Sequence, residues 1–218
     1  GDVDGIRNSI NYRLIKGRLE ADYEGLPINA IRIFEKKVSN NKNIENIYGY
    51  SRALFLNGRF DESLAQIDEL LEDYPKNLIL NTTKIEILRE SEKYDQALIL
   101  VNEQLEISPK NYPLSVEKVK VLRGSKKTIA AEEVLRDILL RRNADPSLWF
   151  LLSEIQKDNL NVAGYHQSRA EYFILLGQNE RALNELQFAL KLSQDNFQNF
   201  EIIMTKINNL REKLNKRI

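Results

Sequence analysis

The sequence predicts an all-α array of stacked helix pairs, and three observations carry that prediction. The run from Phe60 to Asn77 (Phe-Asp-Glu-Ser-Leu at its start, Tyr-Pro-Lys-Asn at its end) is echoed 34 residues later from Tyr94 to Asn111, which closes on Ser-Pro-Lys-Asn. Apolar residues recur with a spacing near 3.6 along almost the whole chain, the period of an amphipathic helix. Glycines occur singly, and they are read here as turn residues between the apolar runs. A helix-turn-helix unit of this length cannot bury its apolar face alone, so it recurs and neighbouring units share one core.

The elements follow in order. A first helix is predicted from Ile6 to Tyr23, with Ile10, Leu14, Ile15 and Leu19 on one stripe, closed by Gly25 and Pro27. The second runs from Pro27 to Ser39, and its Ala30 and Phe34 occupy the places of Ser63 and Ile67, then Ala97 and Val101, in the two clear copies. Ile44 to Leu56 pairs with Asp61 to Glu72 through Asn57-Gly58, where Gly58 supplies a left-handed turn residue. Leu78 to Ser91 pairs with Asp95 to Ile107, and Leu114 to Arg123 with Thr128 to Arg141, Ala131 and Leu135 keeping the register. Beyond Asp145-Pro146 the pattern changes slightly: Ser147 to Lys157, Ala163 to Leu176, and Glu180 to Leu192 are helices, with Gly177 at the last turn. Phe197 to Arg217 carries Phe200, Ile203, Ile207, Leu210 and Leu214 on one face and Arg211, Lys213, Lys216 and Arg217 at its end. It reads as a capping helix whose terminal charge suits the helix dipole.

A 34-residue helix pair is the tetratricopeptide spacing. The expected fold is therefore an all-α tetratricopeptide-repeat superhelix (α-solenoid) of about ten helices with a C-terminal capping helix. Residues 1–218 form a single domain on this reading: 1–43 a degenerate first pair, 44–145 three repeats, 146–196 irregular final repeats, and 197–218 the cap. Small residues at Ser63, Ala97, Ala131 and Ala182 mark where the paired helices cross closest.

Composition narrows the function. Charged residues are 29% of the chain, and 32 bases cancel 32 acids, so no net field favours a polyanion. The absence of cysteine excludes disulfides, thiolate catalysis and cysteine-ligated zinc. No apolar run approaches the roughly 18 to 20 residues that span a bilayer. Gly1-Asp-Val-Asp-Gly is not the start of a signal peptide, and the chain reads as a piece of something longer. The single histidine, His166, rules out a His-Glu-x-x-His metal motif within this chain, and its fourth position in a repeat suggests packing. Adjacent acids such as Asp61-Glu62 and Glu132-Glu133 diverge by about 100° on a helix, so they are taken as solvated faces. No phosphate-binding Gly-rich loop occurs. Nothing points to catalytic, cofactor-binding or metal-ligating residues here.

The candidate residues are those whose repeat positions line the concave surface. Tyr48, Phe55 and Phe150 are candidate aromatic anchors there. Arg52, Thr82, Glu86, Arg89, Glu154, Lys157, Gln167 and Glu171 share that surface. Two charge runs stand out: six acids and no base from Asp61 to Asp73, and five bases and no acid from Lys118 to Lys127. Within the basic run, Lys120 and Arg123 face the groove and could hold a partner's carboxylates. Trp149, Tyr172, Phe173, Phe188 and Tyr50 are assigned to the core. The expected partner is a protein or peptide, not nucleic acid and not the membrane interior.

The run Ala163-Gly-Tyr-His-Gln-Ser-Arg-Ala-Glu-Tyr172, continuing through Gly177 to Leu192, is more particular than a generic repeat. It resembles the C-terminal tetratricopeptide domain of bacterial periplasmic zinc metallopeptidases of the beta-barrel assembly-enhancing protease family, which often carry His-Gln-x-Arg-Ala-Glu-Tyr before the final repeat. Asn11-Tyr-Arg-Leu-Ile-Lys-Gly-Arg-Leu19 is similar to the segment joining that family's protease domain to its repeats. The resemblance implies a periplasmic location and a substrate- and partner-binding role with chaperone-like character in outer-membrane protein assembly and quality control. It implies contacts with an upstream protease domain, outer-membrane clients or barrel-assembly components. Zinc would belong to that upstream domain, so this chain is expected not to be an enzyme by itself. A stand-alone cytoplasmic adaptor binding peptide termini through Lys120 and Arg123 is the alternative.

Overall fold

A computed structural model describes residues 9–215; Gly1-Asp-Val-Asp-Gly, the predicted start at Ile6, and Lys216 and Arg217 lie outside the described residues. Among the described residues are twelve helices, one for each run read in order from the sequence and slightly more than the round figure of ten: α1 (Ile10–Asp22), α2 (Pro27–Asn40), α3 (Ile44–Leu56), α4 (Phe60–Asp73), α5 (Leu78–Glu90), α6 (Tyr94–Ile107), α7 (Tyr112–Gly124), α8 (Thr128–Leu139), α9 (Pro146–Asp158), α10 (Val162–Leu175), α11 (Asn179–Lys191) and α12 (Phe197–Asn215). No strand occurs among the described residues. The chain divides into two compact units, the first ending at Glu117 and the second starting at Lys118, within α7.

The 34-residue period is written into helix ends as well as cores. Asn43, Asn77, Asn111 and Asp145 stand 34 apart, and each side chain accepts a backbone N–H of the helix it opens, from Asn46 (3.0 Å), Leu80 (3.1 Å), Leu114 (3.1 Å) and Ser147 (2.9 Å). These are N-caps, which satisfy donors that a helix start leaves orphaned. The turns repeat too: Gly58, Glu92, Lys126 and Leu160 all have φ between 58° and 71°. Gly58 and Gly177 adopt this left-handed backbone freely, as the sequence suggests, whereas the other three residues carry a Cβ into it.

In the first unit α1 packs along α3 and touches α2 little, while α2 to α6 pack in succession. Two glycines make this possible. A Cβ on Gly17 would lie 2.2 Å from the Glu45 carbonyl oxygen, and one on Gly49 would lie 2.1 Å from the Phe34 ring. Both are helical, so the assignment of every glycine to a turn is corrected: these two permit close approach of α1 and α2 to α3. The predicted α1 stripe is also corrected. Leu14, Gly17 and Ala21 are buried, but Ile15 and Leu19 lie on the opposite side and are half exposed.

The small-residue register holds. Ala30, Ser63, Ala97, Ala131 and Ala182 are fully buried, as are Phe34, Ile67, Val101, Leu135 and Leu186 one turn later. The acidic run of α4 is answered within its own unit: Lys93 lies 2.6 Å from Asp61, Lys84 2.7 Å from Asp68, and Lys42 2.8 Å from Glu69.

In the second unit α8 to α12 pack in succession. Ala170 and Phe173 of α10, Ala182, Leu186 and Ala189 of α11, and Ile203, Ile207 and Leu210 of α12 form one core. The predicted apolar face of the last helix thus covers α11.

Candidate functional site

The candidate residues fall into separate faces, described unit by unit. In the first, Tyr48, Arg52 and Phe55 project from α3, and Thr82, Glu86 and Arg89 from α5. Tyr48 is not an exposed anchor. Its ring is 2% exposed and its hydroxyl lies 2.7 Å from Thr83 Oγ1. The α5 helix crosses close to this position, so the ring fills the crossing, and burial raises the phenol above its ordinary titration range. Thr82 turns its hydroxyl back to the Leu78 carbonyl at 2.7 Å. Phe55 is half-buried, edge-on to Phe60 at 5.7 Å, with the Arg52 guanidinium 5.1 Å from its ring centre.

The charges on this face are largely matched to one another. Arg52 Nε lies 2.6 Å from Asp22 of α1, and the same guanidinium is 3.9 Å from Glu86 of α5. Arg89 Nε donates to Glu117 at 3.2 Å and its Nη1 reaches Glu90. The expected concave charges therefore form a rung-like series of ion pairs between every second helix, α1 to α3, α3 to α5 and α5 to α7, each partly shielded from water.

The second unit presents two faces on α9. Phe150, Glu154 and Lys157 form one stripe. Phe150 is 44% exposed, and its ring lies 5.5 Å from Tyr172. Arg123 of α7 holds Asp158 at 2.6 Å and Glu154 at 3.6 Å, so its expected role as a free clamp for a partner's carboxylate is corrected: two internal acids occupy it. Lys120, one turn earlier, is half-buried. Lys157 is exposed.

Gln167 and Glu171 stand elsewhere. They line a polar cleft of about 280 Å³ together with Trp149, Arg136, Asn199 and Lys206. At roughly 100° per residue, Trp149 and Gln156 of α9 point well away from Phe150 and Glu154, so the expected single concave face resolves into two within this unit. Glu171 pairs with Lys206 of α12 across the cleft. Beneath lies a satisfied polar floor. Ser168 donates to Gln156 Oε1 at 2.6 Å, while Gln156 and Asn159 donate to Glu132 at 3.2 and 2.9 Å. Arg136 adds a bond to the same carboxylate at 2.7 Å. The assignment of Glu132 to a solvated face is corrected. Instead α9 and its own-helix Arg136 enclose it, and only Glu133 points outward. Fully connected networks of this kind hold side chains in one arrangement.

Two aromatic assignments also change. Phe188 is 53% exposed, because it stacks on His166 at 5.3 Å beyond the α10–α11 core. Trp149 is half-buried, its indole N–H donating to the Asn143 carbonyl at 2.7 Å. His166 packs as its position suggests, with Nδ1 2.7 Å from Glu185, which also accepts from Arg169 at 2.9 Å. Sequence reasoning missed the cleft's cationic and amide walls, Arg136, Asn199 and Lys206. They come from helices distant in sequence, and no local pattern links them.

Among the described residues no group of three or more His, Cys, Asp or Glu side chains is placed to hold a metal, and no helix is long and apolar enough to cross a membrane.

Helix pairing, 34-residue caps and small-residue crossings define a tetratricopeptide-repeat protein. Solved structures of that class agree. A tetratricopeptide repeat protein from Parabacteroides merdae aligns with 93% of this chain and 84% of its own at 13% identity and a TM-score of 0.58. MamA from Desulfovibrio magneticus RS-1 covers 78% of this chain and 96% of its own at 12% identity and a TM-score of 0.56. A thermophilic protein of the class from Thermus thermophilus covers 90% and 98% at 17% identity and a TM-score of 0.52. No family model matches the sequence, and neither does any curated protein sequence. The likeness establishes the tetratricopeptide fold.

Proposed function

We propose that this chain is the substrate- and partner-binding repeat domain of a periplasmic zinc metallopeptidase of the beta-barrel assembly-enhancing protease family, acting with chaperone-like character on outer-membrane proteins. One observation carries the reading. The His166-Gln-Ser-Arg-Ala-Glu-Tyr172 run that resembles the family lies on α10, and its residues build the candidate site: Gln167, Ser168 and Glu171 line the polar cleft, and Tyr172 supports the exposed Phe150. His166 and Arg169 lock onto Glu185 behind it. A cleft wall and its own scaffolding thus coincide in one short run of α10. Catalysis and zinc belong, on this reading, to an upstream protease domain, and this chain contributes recognition.

A stand-alone cytoplasmic adaptor that grips peptide termini has less support, since Arg123 already carries Asp158 and Glu154. The test is site-specific photocrosslinking in the native host from Gln167 and Phe150, with exposed Ile129 of α8 as the outward control. Adducts with outer-membrane barrel proteins, their assembly machinery or an upstream protease domain are expected from the first two positions. Adducts confined to cytoplasmic proteins, or equal yields from Ile129, overturn it.

A further inference from the structure

The α1 helix has two apolar faces. One, Leu14, Gly17 and Ala21, is buried against α3. The other is formed by Tyr12, Ile15, Leu19 and Tyr23, exposed at 40%, 49%, 48% and 84%. Their spacings of three, four and four residues place all four within one narrow stripe of the helix surface. Scattered exposed apolar residues are ordinary; a register-true stripe of four large ones is the pattern of a helix that packs on another helix. Among the described residues no helix covers it.

We propose that this stripe is a dimer interface with a second copy of the chain, the two α1 helices crossing antiparallel about a two-fold axis. Self-complementarity selects the occupant. When α1 is reversed onto itself, Tyr12 meets Tyr23 of the second copy and Ile15 meets Leu19, so the stripe is its own match, as a two-fold interface requires. Charge selects the direction. Arg13 lies at the start of the segment and Glu24 just past its end, while Lys16, Glu20 and Asp22 are held within the chain by Glu45, Lys37 and Arg52. An antiparallel pair brings Arg13 of one copy toward Glu24 of the other, whereas a parallel pair sets each beside its like.

A 13-residue helix is only about 20 Å long, which puts the contact at the small end of specific interfaces. The dimer is therefore weak and concentration-dependent. Leu26 and Ile28, both 62% exposed just past α1, extend the apolar surface at its end. Although α1 holds the Asn11–Leu19 segment that carries part of the family resemblance, this inference is read from the exposure and spacing of the stripe and does not use the proposed protease context.

Sedimentation velocity of the purified 218-residue chain across a concentration series tests it. A monomer–dimer equilibrium is expected, and Ile15→Asp and Leu19→Asp each weaken it by about tenfold or more with unchanged helicity and Tm in the dilute monomer. The chain contains no cysteine, so single thiols report the register. An equimolar mixture of Tyr12→Cys and Tyr23→Cys variants, treated with a short thiol crosslinker, should yield the mixed dimer well above either like pair. A monomer at every concentration overturns the proposal, as does a dimer indifferent to Ile15→Asp and Leu19→Asp. So does an excess of Tyr12→Cys like pairs, which means a parallel or different contact. A fall in monomer Tm for Ile15→Asp also overturns it, by assigning the stripe to cover from within the chain.

Discussion

The Ser51 and Ser63 hydroxyls lie 2.9 Å apart at the fully buried crossing of α3 and α4, and each also bonds the other residue's backbone carbonyl, at 3.1 and 2.9 Å. Ala97 and Ala131 fill the place of Ser63 in the next two copies, so this crossing uses hydroxyls where its neighbours use methyl groups. Ser51→Ala and Ser63→Ala should each cost about 1 kcal/mol, the net worth of a buried hydrogen bond. The double variant should cost less than their sum, since neither partner is then left unpaired. Chemical denaturation of the four proteins measures the coupling.

The left-handed turns differ in what they hold. Gly58 has φ 71°, whereas Leu160 has φ 58° and Glu92 φ 59°. A Cβ in that conformation costs roughly 1 kcal/mol or more, and Leu160 is 85% exposed, so its side chain offers little packing in return. Leu160→Gly and Glu92→Gly should therefore raise Tm, and Gly58→Ala should lower it. A calorimetric series in which Leu160→Gly lowers Tm would sink the argument.

Gly17→Ala and Gly49→Ala act through contact rather than φ. At Gly17 the obstacle is the α3 backbone itself, which cannot rotate away as a side chain can. Gly49 meets Phe34, fully buried and without room to turn. Each substitution should cost about 1 to 3 kcal/mol or more, as overpacking does, with Gly17→Ala the larger. Urea midpoints on the intact chain check the order.

These glycines also show where sequence reasoning stops. Periodicity located every helix, and the small residues from Ala30 to Ala182 were legible because each repeats at a fixed register with an apolar residue one turn on. Gly17 and Gly49 carry no such echo, and a lone glycine reads as a turn until a neighbour's carbonyl is seen beside it. The α1 stripe failed for a related reason: Leu14 and Ile15 are adjacent, and spacing alone does not say that they serve opposite faces. Asn43, Asn77, Asn111 and Asp145 were readable in principle, since a 34-residue series of Asn or Asp before an apolar run is a capping signal. The site was less legible, because ion pairing decides it. Arg52 and Arg123 look available in sequence, and their acids arrive from helices about 30 residues away in the chain, at Asp22, Glu86, Glu154 and Asp158.

Tyr48 offers a direct contrast between packing and recognition. Tyr48→Phe keeps the ring and loses the bond to Thr83, so about 1 kcal/mol of stability should go. Tyr48→Ala should cost about 3 to 5 kcal/mol, and neither change should weaken partner capture by folded protein. The raised phenol pKa has a signed consequence. The unfolded chain ionises Tyr48 first, so the stabilisation is intact below the ordinary tyrosine range and is lost as pH rises through it toward the folded value. Tyr48→Phe removes that contribution, so its alkaline unfolding should begin at higher pH relative to its own neutral stability. Circular dichroism against pH on both proteins measures the difference.

Glu171 and Lys206 bridge the polar cleft between α10 and α12, and reversing them separates the cleft's structure from its recognition. Lys206→Glu places two carboxylates together and should lower Tm slightly, the pair being partly exposed and worth no more than about 1 kcal/mol. Adding Glu171→Lys restores opposite charges with their positions exchanged, so Tm should recover. Recognition should not recover, because Gln167, Trp149 and Asn199 would then face a partner across an inverted charge pattern. Thermal melts paired with quantitative capture of the partners crosslinked at Gln167 decide the matter. Capture that returns with Tm in the double variant would make the pair a structural strut and move the binding surface to the Phe150 stripe.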